Sequence, residues 1–361
     1  MENRMLTFVE EYNQQGKVLY SLGNYQEAIN MFKKAEVEDP MYVETYLNMG
    51  EAYVMLDKYD EAKEVFNKAL LVDKQNGIAY FHLGNVEFLL GNIDSGREYY
   101  AKAINHGFDD PQLYFNLGTV YEEMGNDEEA IKAYNKALAK DKFRADAKLR
   151  KAQIYINNNK YSEALQALDN MIELNPDIFE GHHYKILLLI EQEKYAEAEK
   201  ALEKAINLFP DDDGFKFDKV LLLEKQEKFD VAMEVLETEF SDSKVREVLL
   251  EKAKIFLAQG KADDSIAMFE RVKSEEGETF DDETRFYLIN IYANMGKHEK
   301  ALALCKEIIE KKNENSYYYS AVFFNAECLN KLGREEEARK AYEEASTLFR
   351  LASSANPGMI D

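Results

Sequence analysis

An all-α fold made of about ten repeated helix pairs is what the amino-acid sequence predicts. Three observations carry that prediction. The string NYQEAINMFKKA around Ala28 recurs as KYDEAKEVFNKA around Ala62 and as NDEEAIKAYNKA around Ala130. A small residue then returns every 34 positions, at Ala28, Ala62, Gly96, Ala130, Ala164, Ala198 and Ala232, and continues with slightly altered spacing at Ser265, Ala301 and Ala338. Finally, 361 residues with only 5 Pro and 17 Gly, 46% apolar and 32% charged, suit helices with a packed face and a large solvated surface. Periods of this length mark units that bury their apolar faces only by stacking on their neighbours.

The periods begin near residues 9, 43, 77, 111, 145, 179, 213, 246, 282 and 319. Within each, the expected first helix carries Tyr12, Tyr46, Tyr80 or Tyr114 near its start, followed by Gly16, Gly50, Gly84 or Gly118. The second helix carries Phe32, Phe66, Tyr100 or Tyr134, then Ala35, Ala69, Ala103 or Ala137. The small residues allow two helix backbones to approach, and the rings fill the space beside that approach. LGNY, LDKY and NNNKY read as helix-to-helix turns, where Gly or Asn tolerates left-handed backbone after a helix end. From the fifth period the glycine slot holds Ala152, Ile186, Val220, Ala253, Ile289 and Ala326, and wider helix spacing is expected over 179–245. The seventh period is the weakest, with Glu239 in a slot for a small apolar residue.

These slots resemble the tetratricopeptide (TPR) repeat family, with Tyr in place of the usual first Trp, and in particular bacterial-type TPR scaffold proteins. The resemblance implies a right-handed superhelical solenoid over residues 9–352. Residues 1–8 are expected as an N-terminal helical extension, and 353–361 as a flexible tail.

Composition narrows the partners. A net charge of −24 disfavours nucleic acid and anionic membrane, which are bound through clustered Lys and Arg. The longest apolar run, Ile186–Ile190, is far short of a spanning helix. With only Cys305 and Cys328 and no signal-peptide pattern, a cytoplasmic location is expected. His82, His106, His182, His183 and His298 show no zinc spacing, and Asp211-Asp212-Asp213 reads as a helix-capping turn rather than a calcium loop. No catalytic motif, metal site or cofactor is expected.

What remains is surface. The resemblance implies that first helices line a concave face, and it places Leu47, Phe81, Phe115, Leu149, Phe217, Leu250, Phe286 and Phe323 in one recurrent slot there. That stripe reads in two ways, as a groove wall for an apolar peptide or helix, or as side chains packed between neighbouring first helices. If it is packed, the groove belongs to Lys17, Asn48, Asn85 and Asn116. Asn85, Asn116 and Arg150 also match three of five slots of the family's carboxylate clamp, although Phe81 and Asp146 occupy the other two. The function expected is a non-enzymatic scaffold binding a peptide or partner protein, with a basic or apolar segment, on the concave face. A peptide-sensing regulator, or a non-catalytic subunit of a glycosyltransferase or chaperone assembly, is the alternative.

Overall fold

The computed structural model describes residues 7–240, 245–276, 281–312 and 315–355. Among them every regular element is a helix. The chain divides into two compact units, Met1–Leu188 and Leu189–Asp361. The first holds α1 (Phe8–Ser21), α2 (Tyr25–Glu38), α3 (Val43–Val54), α4 (Tyr59–Val72), α5 (Gly77–Leu89), α6 (Ile93–Asn105), α7 (Pro111–Glu123), α8 (Asp127–Lys140), α9 (Ala145–Asn157), α10 (Tyr161–Leu174) and α11 (Phe179–Glu191) through Leu188. In the second lie α12 (Tyr195–Leu208), α13 (Asp213–Lys225), α14 (Phe229–Thr238), α15 (Val245–Ala258), α16 (Ala262–Glu276), α17 (Asp282–Asn294), α18 (His298–Glu310), α19 (Ser316–Lys331) and α20 (Glu335–Ala355).

From α1 to α10, and again from α12 to α20, each helix packs on the next. First helices also touch first helices, as α1 on α3, α3 on α5 and α5 on α7. Residues 1–6 of the expected N-terminal extension lie outside the described residues. So do residues 356–361 of the expected tail, whereas 353–355 continue α20.

Side-chain size at one contact sets the helix pairing. Phe32, Phe66, Tyr100 and Tyr134 are fully buried, each lying over the glycine of its own period. A Cβ on Gly84 would stand 2.6 Å from the Tyr100 ring, so nothing larger than hydrogen fits there. At three filled glycine slots the opposite residue is smaller than a ring, although Ala253 still faces the fully buried Phe269. Ala152 packs in one cluster with Leu168, Val220 with Leu236, and Ile289 with Cys305. Volume is thus conserved across the pair.

The turn within each helix pair has one recurring backbone state. Gly23, Asp57, Gly91, Gly125, Asn159, Glu193, Glu227, Gly260, Gly296 and Gly333, at equivalent points in successive periods, all have φ between 56° and 79°. Around Gly23 the helix end closes by Gly23 N–H to Tyr20 O (3.0 Å) and Asn24 N–H to Leu19 O (2.9 Å), satisfying carbonyls that the helix leaves open.

Two irregularities have local causes. The α14 helix stops at Thr238, one residue before exposed Glu239, because a carboxylate would be driven into the slot where Ala35, Ala69, Ala103 and Ala137 are buried. His182 replaces a tyrosine without loss of its hydrogen bond. Its Nε2 lies 3.0 Å from Pro176 O, as the Tyr46 hydroxyl lies 2.9 Å from Pro40 O. Asp212 accepts from Gly214 N–H at 2.8 Å, the capping role its sequence implies.

Two predictions follow from this packing. Gly84→Ala is expected to destabilise the chain by about 1–3 kcal/mol in urea titrations. Adding Tyr100→Leu, the pairing seen at Ala152 and Leu168, recovers part of that loss; a purely additive double variant would contradict size compensation. Glu227→Gly, which relieves left-handed backbone at a non-glycine residue, is expected to stabilise by about 0.5–1 kcal/mol, and a lowered urea midpoint would contradict the strain.

Candidate binding surface

The first helices of the unit Met1–Leu188 present the residues singled out from sequence, and the structure sorts them into two groups. In the apolar stripe Phe81 is buried, Phe323 alone is exposed, at 42%, and the other members are half-buried. Phe81 is 8% exposed, with its ring centroid 4.9 Å from that of Phe108 and 6.0 Å from that of Tyr100. Leu47 is half-buried against two core clusters. Phe115 is half-buried beside Tyr134 (5.5 Å) and covered by the Arg144 guanidinium at 4.6 Å from the ring centroid. Leu149 is half-buried as well. Of the two readings of the stripe, packing between helices is the one these positions fit.

The second group is polar and joined from helix to helix. Asn48 Nδ2 reaches Asn13 Oδ1 at 3.4 Å, and Asn13 Nδ2 donates to Thr45 Oγ1 at 2.8 Å. Asn116 Nδ2 donates to Asn85 Oδ1 at 2.8 Å, and the same oxygen accepts from the Tyr100 hydroxyl at 2.7 Å. Gln112 donates to Asn116 at 2.6 Å and in turn accepts from Arg144 at 3.0 Å. The result is two linked sets of carboxamides, one across α1 and α3 and one across α5 and α7, with donors and acceptors of both kinds.

The cations of this face are already held. Lys17 pairs with Glu44, and that hydrogen bond, together with one from the Tyr42 hydroxyl, keeps the Glu44 carboxyl below its usual range. Arg150 Nε donates to Glu122 Oε2 at 2.8 Å, and Glu122 also accepts from the Tyr134 hydroxyl. Arg144 pairs with Asp146 at 2.6 Å. Asn85 and Asn116 are therefore brought together as the clamp pattern requires, but Arg150 is turned to Glu122. A free carboxylate entering here would have to displace Glu122, a poor exchange on a face that also carries Glu51 and Asp146.

Beside the carboxamides lies an apolar margin. Met55, on the turn after Glu51, is 48% exposed, and Leu89, on the turn after Asn85, is 51% exposed. Between them His82 stacks on Phe66 (4.9 Å, 5°) and lies 3.2 Å from Glu51 Oε1. Burial pushes the imidazole down to about 4, so at neutral pH it is uncharged. Burial also raises the Glu51 carboxyl.

Sequence reasoning missed Glu44, Glu122, Gln112 and Arg144. Their signal was available in the period itself, since Glu44 and Gln112 share one slot and Glu122 lies one turn beyond Thr119 on the same helix face. Elsewhere Cys305 and Cys328 are buried, and burial raises both thiols, which makes them packing residues rather than nucleophiles. Among the described residues no group of His, Cys, Asp or Glu could hold a metal ion, and no helix is long and apolar enough to cross a membrane.

Comparison with known families agrees with the geometry. Tetratricopeptide repeat profiles match residues 19–85, 75–142 and 185–243, together more than half of the chain, and the profile of anaphase-promoting complex, cyclosome, subunit 3 matches 123–205 and 258–345. The chain belongs to the tetratricopeptide repeat family, and it is a non-catalytic repeat protein. Solved structures similar to parts of it include MamA (26% identity, TM-score 0.41, 45% of this chain and 94% of that one). Another is YrrB, described as a TPR protein with an unusual peptide-binding site (22%, 0.43, 54% and 97%). A third is pilF of Pseudomonas aeruginosa (19%, 0.49, 59% and 96%). A comparison with curated protein sequences gives no match.

The buried neutral His82 sets a pH dependence. Its folded pKa lies below the ordinary 6.5, so the unfolded chain binds more protons between those values and stability falls as pH drops from 6.5 toward 4, by up to roughly 3 kcal/mol. Glu51, raised in the fold, acts in the opposite direction. The His82→Phe variant, which keeps the stacked ring, is expected to lose stability less steeply over this window; identical slopes in urea titrations would contradict the assignment.

Proposed function

We propose that this protein is a scaffold that holds an extended partner segment along the concave, first-helix face of its unit Met1–Leu188, and that the segment carries basic and apolar residues. One observation carries the reading: Lys17, Arg144 and Arg150 are each held by a carboxylate of their own face, while Asn48, Glu51, Asn85 and Asn116 are half-buried rather than covered. Carboxamides pair with the N–H and C=O of an extended backbone irrespective of its sequence. Carboxylates favour Lys or Arg side chains. Met55 and Leu89 supply contact for an apolar side chain.

Asn48, Asn85 and Asn116 would thus register the backbone, with Glu51 selecting charge. Phe81, Phe115, Leu47 and Leu149 support these side chains from beneath. Lys17 and Arg150 orient Glu44 and Glu122 rather than capturing an anion. The proposal extends to a cytoplasmic setting, which the two unpaired, buried thiols suit.

Selection of random short peptides on the immobilised full chain tests this. Enrichment of Lys and Arg next to apolar residues is expected, with no effect of amidating the peptide C-terminus. Asn116→Ala and Glu51→Gln should each weaken a selected peptide by about threefold to tenfold. Enrichment of acidic peptides that need a free C-terminal carboxylate would overturn the reading in favour of the clamp.

A further inference from the structure

The second unit holds a cavity of about 310 Å³ between α12 and α13, floored by Leu202, Ile206, Leu222 and Leu223. Its origin is legible in the repeat register. Leu202 occupies the ring slot of Phe32, Phe66, Tyr100 and Tyr134, and Leu223 the slot of Tyr53, Tyr121 and Tyr155. Two rings that other periods place here are absent, and α13 keeps its station because Leu202 and Leu222 remain buried, 4% and 2% exposed.

The rim is the second observation. In neighbouring periods a lysine on the first helix pairs with an acid on the preceding second helix, as Lys185 does with Asp169 and Lys252 with Glu237 (3.2 Å). The corresponding residues here are Glu203, one period from Asp169 and Glu237, and Lys219, which aligns with Lys185 and Lys252. Both border the cavity. Among the described residues they make no ion pair with each other or with any other side chain, so the repeat's own bridge is open where the cavity lies.

We propose that this cavity is a second binding site, separate from the carboxamide face, which takes one apolar side chain of a partner polypeptide. A carboxylate only accepts hydrogen bonds and an ammonium only donates them. A peptide group laid between them therefore satisfies both, its N–H donating to Glu203 and its C=O accepting from Lys219, while the attached Leu or Phe side chain fills the space the missing rings leave. The opened ion pair is what selects a peptide over a plain hydrocarbon. A hydrocarbon could use neither rim group.

The test uses the full chain with labelled leucine methyl groups, titrated by NMR with three blocked tripeptides, Ac-Ala-X-Ala-NH2 with X as Leu, Phe or Ala. Saturable shifts at Leu202, Leu222 and Leu223 are expected for Leu and Phe, with affinity about tenfold or more above Ala, the effect of burying a large apolar side chain. Glu203→Gln and Lys219→Met should each weaken the Leu peptide by about threefold to tenfold. Leu223→Tyr refills the cavity and should abolish the shifts while the melting temperature holds or rises. Leu202→Phe provides the same refilling independently if the first variant misfolds. Absence of saturable shifts in the wild type, an Ala peptide bound as tightly as Leu, or undiminished binding after refilling would each overturn the site, and none of these bears on the carboxamide face.

Discussion

The contact between one side chain on each second helix, a ring in the regular periods, and the facing glycine-slot residue of its first helix is the constraint from which the other features follow. At Gly84 and Tyr100 the two backbones approach until no Cβ fits between ring and main chain. That approach fixes how far the first helix stands from its partner, and hence which of its residues face outward. Asn85, the residue after Gly84, is carried to the surface with its oxygen within 2.7 Å of the Tyr100 hydroxyl, so the packing ring also orients the first group of the candidate face. The same geometry at Gly118 and Tyr134 brings the Tyr134 hydroxyl to Glu122, which in turn holds Arg150. Core packing and surface chemistry share atoms in this protein.

A similar dependence explains why departures from the consensus have chemical consequences. Filling the glycine slot is harmless where the ring opposite is exchanged for leucine, as at Ala152 and Leu168, because the volume between helices is unchanged. Exchanging rings at two slots that face the same gap, Leu202 and Leu223, does leave a gap, and there the bridge found in adjacent periods is open. The divergent periods are therefore where a repeat protein acquires individual sites, while the regular ones supply a uniform face.

Much of this was legible in the sequence. Helix starts at Val43, Gly77, Pro111, Ala145, Phe179, Asp213 and Asp282 fall on the period read from the recurring small residues, because a slot pattern of that regularity admits one helical phase. Left-handed turns at Gly23, Gly91, Gly125 and Asn159 were foreshadowed by LGNY-type strings, whereas Glu193 and Glu227 carry no local signal and are forced into that backbone by the helices they join. The candidate face was less legible. Lys17 and Arg150 look like ligand cations in sequence, but their partners Glu44 and Glu122 come from the next or preceding period, and side-chain reach between periods is not encoded in spacing alone. Phe81 and Phe115 share a slot yet differ in burial, since Phe108 closes over the first while only the Arg144 guanidinium lies over the second.

The carboxamides of the first helices are proposed to receive a partner's backbone. A crystal structure of the chain bound to a selected basic peptide tests it most directly. Peptide backbone amides are expected within hydrogen-bond distance of Asn85 or Asn116, with a basic side chain beside Glu51. A peptide seated instead on second helices or turns, with the Asn85–Asn116 hydrogen bond intact and solvent-facing, would contradict it.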